Sequence, residues 1–164
     1  MVAQKEVRMA AEIKLAPELI TSEWLNTSEP VTLESQRGKV VVIEAFQMLC
    51  PGCVSHGLPQ AQRIFDTFSA EQVTVIGLHT VFEHHEAQGT PAALEAFMHE
   101  YRIGFPVGID APSDQAIPQT MAAYQLRGTP SLLLVDRHGR LRERHFGSVS
   151  DRLIGAQIMQ LMGL

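Results

Sequence analysis

Cysteine is scarce in this chain: Cys50 and Cys53 are the only two in 164 residues, and both fall in one motif. No disulfide framework can exist elsewhere, which excludes a stapled secreted scaffold. A zinc ribbon would want a second cysteine pair or a histidine pair at matching spacing, and no second cysteine pair exists. Basic runs are also missing, and the net charge is −5. Phosphate binding needs clustered Lys and Arg, so no nucleic-acid partner is expected. No apolar stretch approaches the ~20 residues that span a bilayer, so no membrane partner is expected. The first residues mix Lys5, Glu6, Arg8 and Glu12 with short apolar ones, without the apolar core of a signal peptide. As given, the sequence reads as cytoplasmic, and as exported if a leader has been trimmed. Repeats and low-complexity linkers are absent. What remains is an ordinary globular balance, 45% hydrophobic and 19% charged, long enough for one domain with a substantial core. Residues 1–16 read as a loosely ordered arm and 17–164 as that domain.

The feature that stands out is Cys50-Pro51-Gly52-Cys53. The apolar run Val40–Phe46 leads into it, and a helix-like run, Val54–Phe68, leads away, with a kink expected near Pro59. A dithiol at a strand-to-helix junction suits thiol–disulfide chemistry. The first thiol lies at the free N–H groups of a helix, whose partial positive charge favours thiolate. Cys50 is therefore the expected nucleophile and Cys53 the resolving thiol. Pro51 presets a helical φ in the first turn, and Gly52 lets a partner backbone approach.

Around the motif, Val40–Phe46 and Val73–His79 read as strands buried on both faces. Right-handed crossovers make them parallel neighbours, which places Cys50 close to the segment after His79. Thr90-Pro91 opens a helix to Tyr101, carrying Leu94, Phe97, Met98 and Tyr101 on one face. Phe105–Ile109 is a short strand and Gln119–Tyr124 a short helix. Ser131–Asp136 and Leu141–Phe146 flank a hairpin turn at 137–140, and Ser150–Met162 closes the chain as a helix. Residues 18–20 and 30–33 are expected to form an N-terminal hairpin around Trp24. The alternation predicts an α/β fold, a central mixed sheet with helices on both faces.

Four pieces, in this order and spacing, carry a resemblance: Arg37–Val42, Cys50–Cys53, Gly128-Thr129-Pro130-Ser131, and Val135-Asp136-Arg137-His138-Gly139 running to Gly147. Over roughly Glu18–Leu164 the chain resembles thioredoxin-fold proteins, and more narrowly the TlpA/ResA-like thiol:disulfide oxidoreductases of the AhpC/TSA-redoxin superfamily. The resemblance implies a three-layer thioredoxin-like fold with a βα insertion between Val73 and Ile109. It implies a cis Pro130 facing the dithiol, so that Thr129 and Pro130 offer a bare backbone edge to a substrate peptide. Its implied partners are a protein or peptide disulfide and an electron-donor or acceptor protein, with no cofactor. The chain departs from the pattern at Leu49, where Trp is usual, at Gly52, where Pro is common, and by one extra residue before Pro59.

Glu44 is a carboxylate in the middle of a buried-type strand. Burial without a partner raises such a pKa, whereas an outward-facing or Lys39-paired carboxylate would keep it low. The resemblance implies a role for Glu44 as proton acceptor for Cys53. Phe46, Phe82 and Phe105 are candidates for an apolar rim, with core packing the stronger expectation for Phe105; Phe82 joins the substrate-binding set. His56, His79, His84 and His85 lie near the motif in sequence or topology and either tune Cys50 or belong to a solvated polar loop. His99, His138 and His145 read as surface residues, and Arg127 as a solvated charge. Two other functions compete. A peroxiredoxin-type thiol peroxidase lacks support, since Gln47 and Ile43 replace the hydroxyl and proline of its Pro-x-x-x-Thr/Ser-x-x-Cys signature. A metal-binding module would use Cys50 and Cys53 with His84 or His85. The motif by itself serves a reductase, an oxidase or an isomerase, which differ in redox potential.

Overall fold

The structure, a computed structural model, describes residues 14–163. Residues 1–13 of the expected arm lie outside the described residues. Lys14–Ala16 do not hang free: Leu15 bridges Arg140, and Ala16 N–H donates to Gly139 O at 2.9 Å.

The centre of the fold is β2 (Val40–Phe46), seven residues buried without exception. A strand this apolar needs cover on both faces, and it receives it. It pairs in parallel with β3 (Val73–His79) and antiparallel with β5 (Ser131–Val135). The sheet is completed by β4 (Val107–Asp110), parallel to β3, and by the edge strands β1 (Thr21–Leu25) and β6 (Leu141–Phe146), in the order β1-β4-β3-β2-β5-β6. The outer strand β6 alternates between half-buried and exposed residues, as an edge covered on one face should.

Helices cover both faces. On one side α1 (Leu58–Thr67), α3 (Pro91–Glu100) and α5 (Asp151–Met162) bring Leu58, Ile64, Leu94, Met98, Ile154 and Ile158 onto Val40, Val42 and Phe46. On the other, α4 (Gln119–Ala123) and the residues after it bring Met121, Tyr124 and Leu126 onto Val41, Ile43 and Ala45. Thr90 caps α3 by accepting from Ala93 N–H, with Pro91 in the first turn, and Ser150 caps α5 by accepting from Leu153 N–H. The polar stretch after β3 contains a short helix, α2 (His85–Gln88), where a loop was expected. Tyr101 ends α3 exposed and stacks on Phe97 at 4.4 Å rather than entering the core.

The expected N-terminal hairpin is not formed. Trp24 and Leu25 of β1 pair with Gly108 and Val107 of β4 instead. Gly108 permits this, since a Cβ there would sit 3.1 Å from the Trp24 ring. Residues 33–38 turn rather than extend, and the Glu18 carboxylate joins the two segments by accepting from Leu33 N–H (2.7 Å) and Glu34 N–H (3.3 Å).

The parallel register sets Phe46 opposite His79. The chain leaves both strands at the same edge of the sheet, so residues 47–53 and 80–90 meet there.

Candidate active site

Cys50 and Cys53 are joined in a disulfide with their Cα atoms 5.2 Å apart. Cys50 is half-buried and Cys53 fully buried, so one sulfur of the pair is open to a partner. The chain is helical from Pro51, and Cys53 N–H donates to Cys50 Sγ at 3.2 Å. The helix does not run on as the simple kinked one expected. Cys53–Gly57 form a π-helical stretch, closed by Leu58 N–H donating to Cys53 O, and α1 begins behind it with Pro59 in its first turn. The wider turn precedes a proline that cannot donate to an α-helical ladder.

Glu44 lies beneath this stretch. It is 1% exposed, Oε1 has no hydrogen-bond partner, and its sheet neighbours are Gly77 and Leu132. It neither points outward nor pairs with Lys39. Burial alone holds its pKa well above the ordinary carboxylate value. Gly57 gives it room: a Cβ there would collide with Glu44 Oε1 and come within 2.9 Å of Pro130 Cβ. Glu44, Gly57 and Pro130 thus form one tight layer at the end of the π-helical stretch that starts at Cys53.

The Thr129–Pro130 bond is cis. Thr129 O lies 3.6 Å from Cys50 Sγ, and the Thr129 hydroxyl reaches the same sulfur at 3.6 Å. Gly52 packs against the Pro130 ring, so close that a Cβ at 52 would stand 3.2 Å from Pro130 Cδ. The space that Gly52 saves is used by this chain's own proline. The apolar rim differs from expectation. Phe46 is a 0% exposed core residue, packed on the face that α1, α3 and α5 cover; Phe105 is also 0% exposed, in line with the stronger expectation of core packing for it. Phe82 is half-buried against the opposite core. The exposed apolar residues at this edge are Leu49, next to Cys50, and Phe146, which flanks Gly128 and carries the Arg127 guanidinium 5.4 Å above its ring. Arg127 is therefore stacked rather than simply solvated.

Two residues of this site have no motif to announce them. Gln47 and Gln88 are buried, and their amides bond to each other, with Gln88 Nε2 donating to Gln47 Oε1 at 3.2 Å. Gln47 Oε1 also accepts from the N–H groups of Phe82 (3.1 Å) and Glu83 (3.2 Å), and its Nε2 donates to Thr129 Oγ1 at 3.4 Å. Gln88 Oε1 accepts from Leu49 N–H at 2.9 Å, and its Nε2 donates to Glu83 O at 2.7 Å. A sequence signal for Gln47 did exist: a polar residue directly continues a fully buried strand three positions before Cys50.

The histidines separate. His84 and His85 are exposed, and among the described residues no group of three or more His, Cys, Asp or Glu side chains could hold a metal ion. His79 is buried against the Phe46 ring with Nε2 unpartnered, and burial lowers its pKa to about 4. It shares a pocket with His85, Asp110 and Pro112, and that lining does not include the dithiol. His56 Nε2 lies 3.0 Å from Val149 O and ties the π-helical stretch to the start of α5. His99 and His138 are exposed as expected, whereas His145 is half-buried and bonded to Gln157 Oε1 at 2.8 Å.

Comparison with known proteins agrees with this geometry. The sequence profile of the AhpC/TSA family matches residues 9–144. A solved structure of a thioredoxin-like superfamily protein is 61% identical, covers 92% of this chain and 97% of its own, and superposes with a TM-score of 0.89. A thiol-disulfide isomerase from Corynebacterium glutamicum is 51% identical, covers 93% and 98%, and gives a TM-score of 0.88. Thiol-disulfide oxidoreductase ResA from Halalkalibacterium halodurans is 22% identical over 82% of this chain and 68% of its own. The chain spans 19% of the length of the Mycobacterium DipZ proteins that it also matches. No described helix is long and apolar enough to cross a membrane. The chain belongs to the AhpC/TSA family and is, within it, a thioredoxin-fold protein of the TlpA/ResA-like kind.

Proposed function

We propose that the chain is a thiol–disulfide oxidoreductase acting on protein or peptide disulfides. The observation that carries this reading is the Cys50–Cys53 pair, half-open at Cys50 and set between the cis Pro130 edge and the buried, unpartnered Glu44. The name of the thiol-disulfide isomerase that is 51% identical supports it as well.

In the reducing direction, the Cys50 thiolate attacks one sulfur of a substrate disulfide. The substrate S–S bond breaks, one substrate thiolate leaves, and Cys50 is held in a mixed disulfide. Cys53 then passes its proton to the Glu44 carboxylate and attacks Cys50 Sγ. The second substrate thiolate leaves and takes up a proton, and the observed Cys50–Cys53 disulfide remains. Two electrons have passed to the substrate, and a partner dithiol restores them. The same steps reversed oxidise a substrate dithiol. The Thr129 backbone beside Cys50 and the exposed Leu49 and Phe146 receive the extended substrate chain.

Trapping tests this. With Cys53→Ser, a peptide disulfide forms a stable adduct on Cys50, seen as an added peptide mass. With Cys50→Ser, no adduct accumulates and turnover is lost. An adduct on Cys53, or exchange that survives Cys50→Ser, contradicts the reading.

A further inference from the structure

We infer that Gln47 is a positioning residue that orients the Thr129 hydroxyl toward Cys50 Sγ and so stabilises the Cys50 thiolate; this rests on the exchange reading above. Backbone groups fix the direction of the relay. Phe82 N–H and Glu83 N–H can only donate, so the oxygen of the Gln47 amide must face them and its NH₂ must face Thr129. The Gln88 amide is fixed in the same way, by Leu49 N–H at its oxygen and Glu83 O at its nitrogen. Neither amide can flip without setting donor against donor.

Thr129 Oγ1 accepts from Gln47 Nε2 at 3.4 Å. Its single proton is then free to point at Cys50 Sγ, 3.6 Å away. A disulfide sulfur is a weak acceptor and a thiolate a strong one, so the contact strengthens when the disulfide is reduced. All members of the chain Gln88–Gln47–Thr129 are at least half-buried, where such bonds polarise one another and little water competes. The same two amides hold Leu49 N–H and the 82–83 backbone, so the residue before Cys50 and the segment after β3 are fixed by one buried unit. Stabilising the thiolate stabilises the reduced form, which makes the disulfide more oxidising.

The test uses the Cys53→Ser background, in which Cys50 is the only thiol and its ionisation is read by ultraviolet thiolate absorbance against pH. Thr129→Val is expected to raise the Cys50 pKa by about one unit, and Gln47→Met to raise it nearly as far. The double variant is expected to add little to Thr129→Val, because both changes break one relay. Thr129→Ser keeps the hydroxyl and is expected to restore the value. Should Gln47→Met not fold, the Gln47 side-chain amide resonances of the Cys53→Ser protein serve instead: they are expected to shift with the Cys50 titration. An unmoved pKa, full additivity, or amide signals blind to the titration overturns the relay. Peptide-disulfide exchange by the unaltered protein is measured alongside. Exchange with an unmoved Cys50 pKa removes the relay alone, while no exchange removes the proposed function and this inference with it.

Discussion

Asp110 and Glu44 are both buried carboxylates in the same sheet, and their surroundings differ. Asp110, at the end of β4, accepts from Thr120 N–H (2.7 Å), Met121 N–H (2.9 Å) and the Thr80 hydroxyl (2.9 Å). Those donors hold the start of α4 against the sheet and offset part of the desolvation that raises its pKa. Glu44, in β2, has no partner at Oε1, and desolvation acts on it unopposed. The fold supplies donors where an acid holds the structure together. It withholds them at Glu44, the acid for which we propose the proton-accepting role, beneath the π-helical stretch that starts at Cys53. A buried acid with its donors in place is a structural part; one left bare beside a reactive pair is poised for chemistry.

Removing the satisfied acid should have the largest effect on stability. Asp110→Ala strands two backbone N–H groups and a hydroxyl, at a cost of about 3–5 kcal/mol in denaturant unfolding. Exchange per folded molecule should not change, and a small stability loss would break the contrast with Glu44.

His79 gives the next effect, in the opposite pH sense to Glu44. Its folded pKa, about 4, lies below the ordinary histidine value. The unfolded chain therefore binds more protons in between, and stability falls as pH drops from about 6.5 to about 4, by up to ~3 kcal/mol. Unfolding midpoints across that window should show the slope, and His79→Leu should flatten it. A Glu44 pKa raised on folding acts the other way: the folded state holds a proton that the unfolded state has lost, so stability falls as pH rises above the ordinary carboxylate pKa.

Gly57→Ala probes the space around Glu44. At an exposed helical site the change would help. Here the new Cβ meets Glu44 Oε1 and Pro130 Cβ, and a loss of about 1–3 kcal/mol in thermal or chemical unfolding is expected. Glu44→Gln should do the reverse. Without an ionisable group at 44, the protein should gain stability at neutral pH, with the gain fading toward acid pH. A constant difference across pH would mean that Glu44 is not the titrating group.

Much of this arrangement is legible in the sequence, for physical reasons. The runs Val40–Phe46 and Val73–His79 are unbroken and β-branched, and such runs form central strands. Thr90-Pro91 opens a helix because the Thr90 hydroxyl caps Ala93 N–H and Pro91 fits the first turn. Glu44 stands out because a charge in such a run must be either buried at a cost or misplaced. The N-terminal hairpin fails because the partner of Trp24 and Leu25 is β4, remote in the chain, and local signals do not report remote pairing. Phe46 fails as a rim residue because a strand covered on both faces buries either orientation. Gln47 and Gln88 lack charge and spacing rules, and they become a unit only when residues 47–49, 82–88 and 129 converge.

The most direct test of the bare-acid account is the pH profile of the resolving step, in which Cys53 attacks a preformed mixed disulfide on Cys50, followed by release of the peptide thiol. The account predicts that the unaltered protein shows a limb titrating above the ordinary carboxylate range. It predicts that Glu44→Gln lowers the rate by about ten- to a hundredfold and removes that limb. Equal rates and the same profile in Glu44→Gln would contradict it.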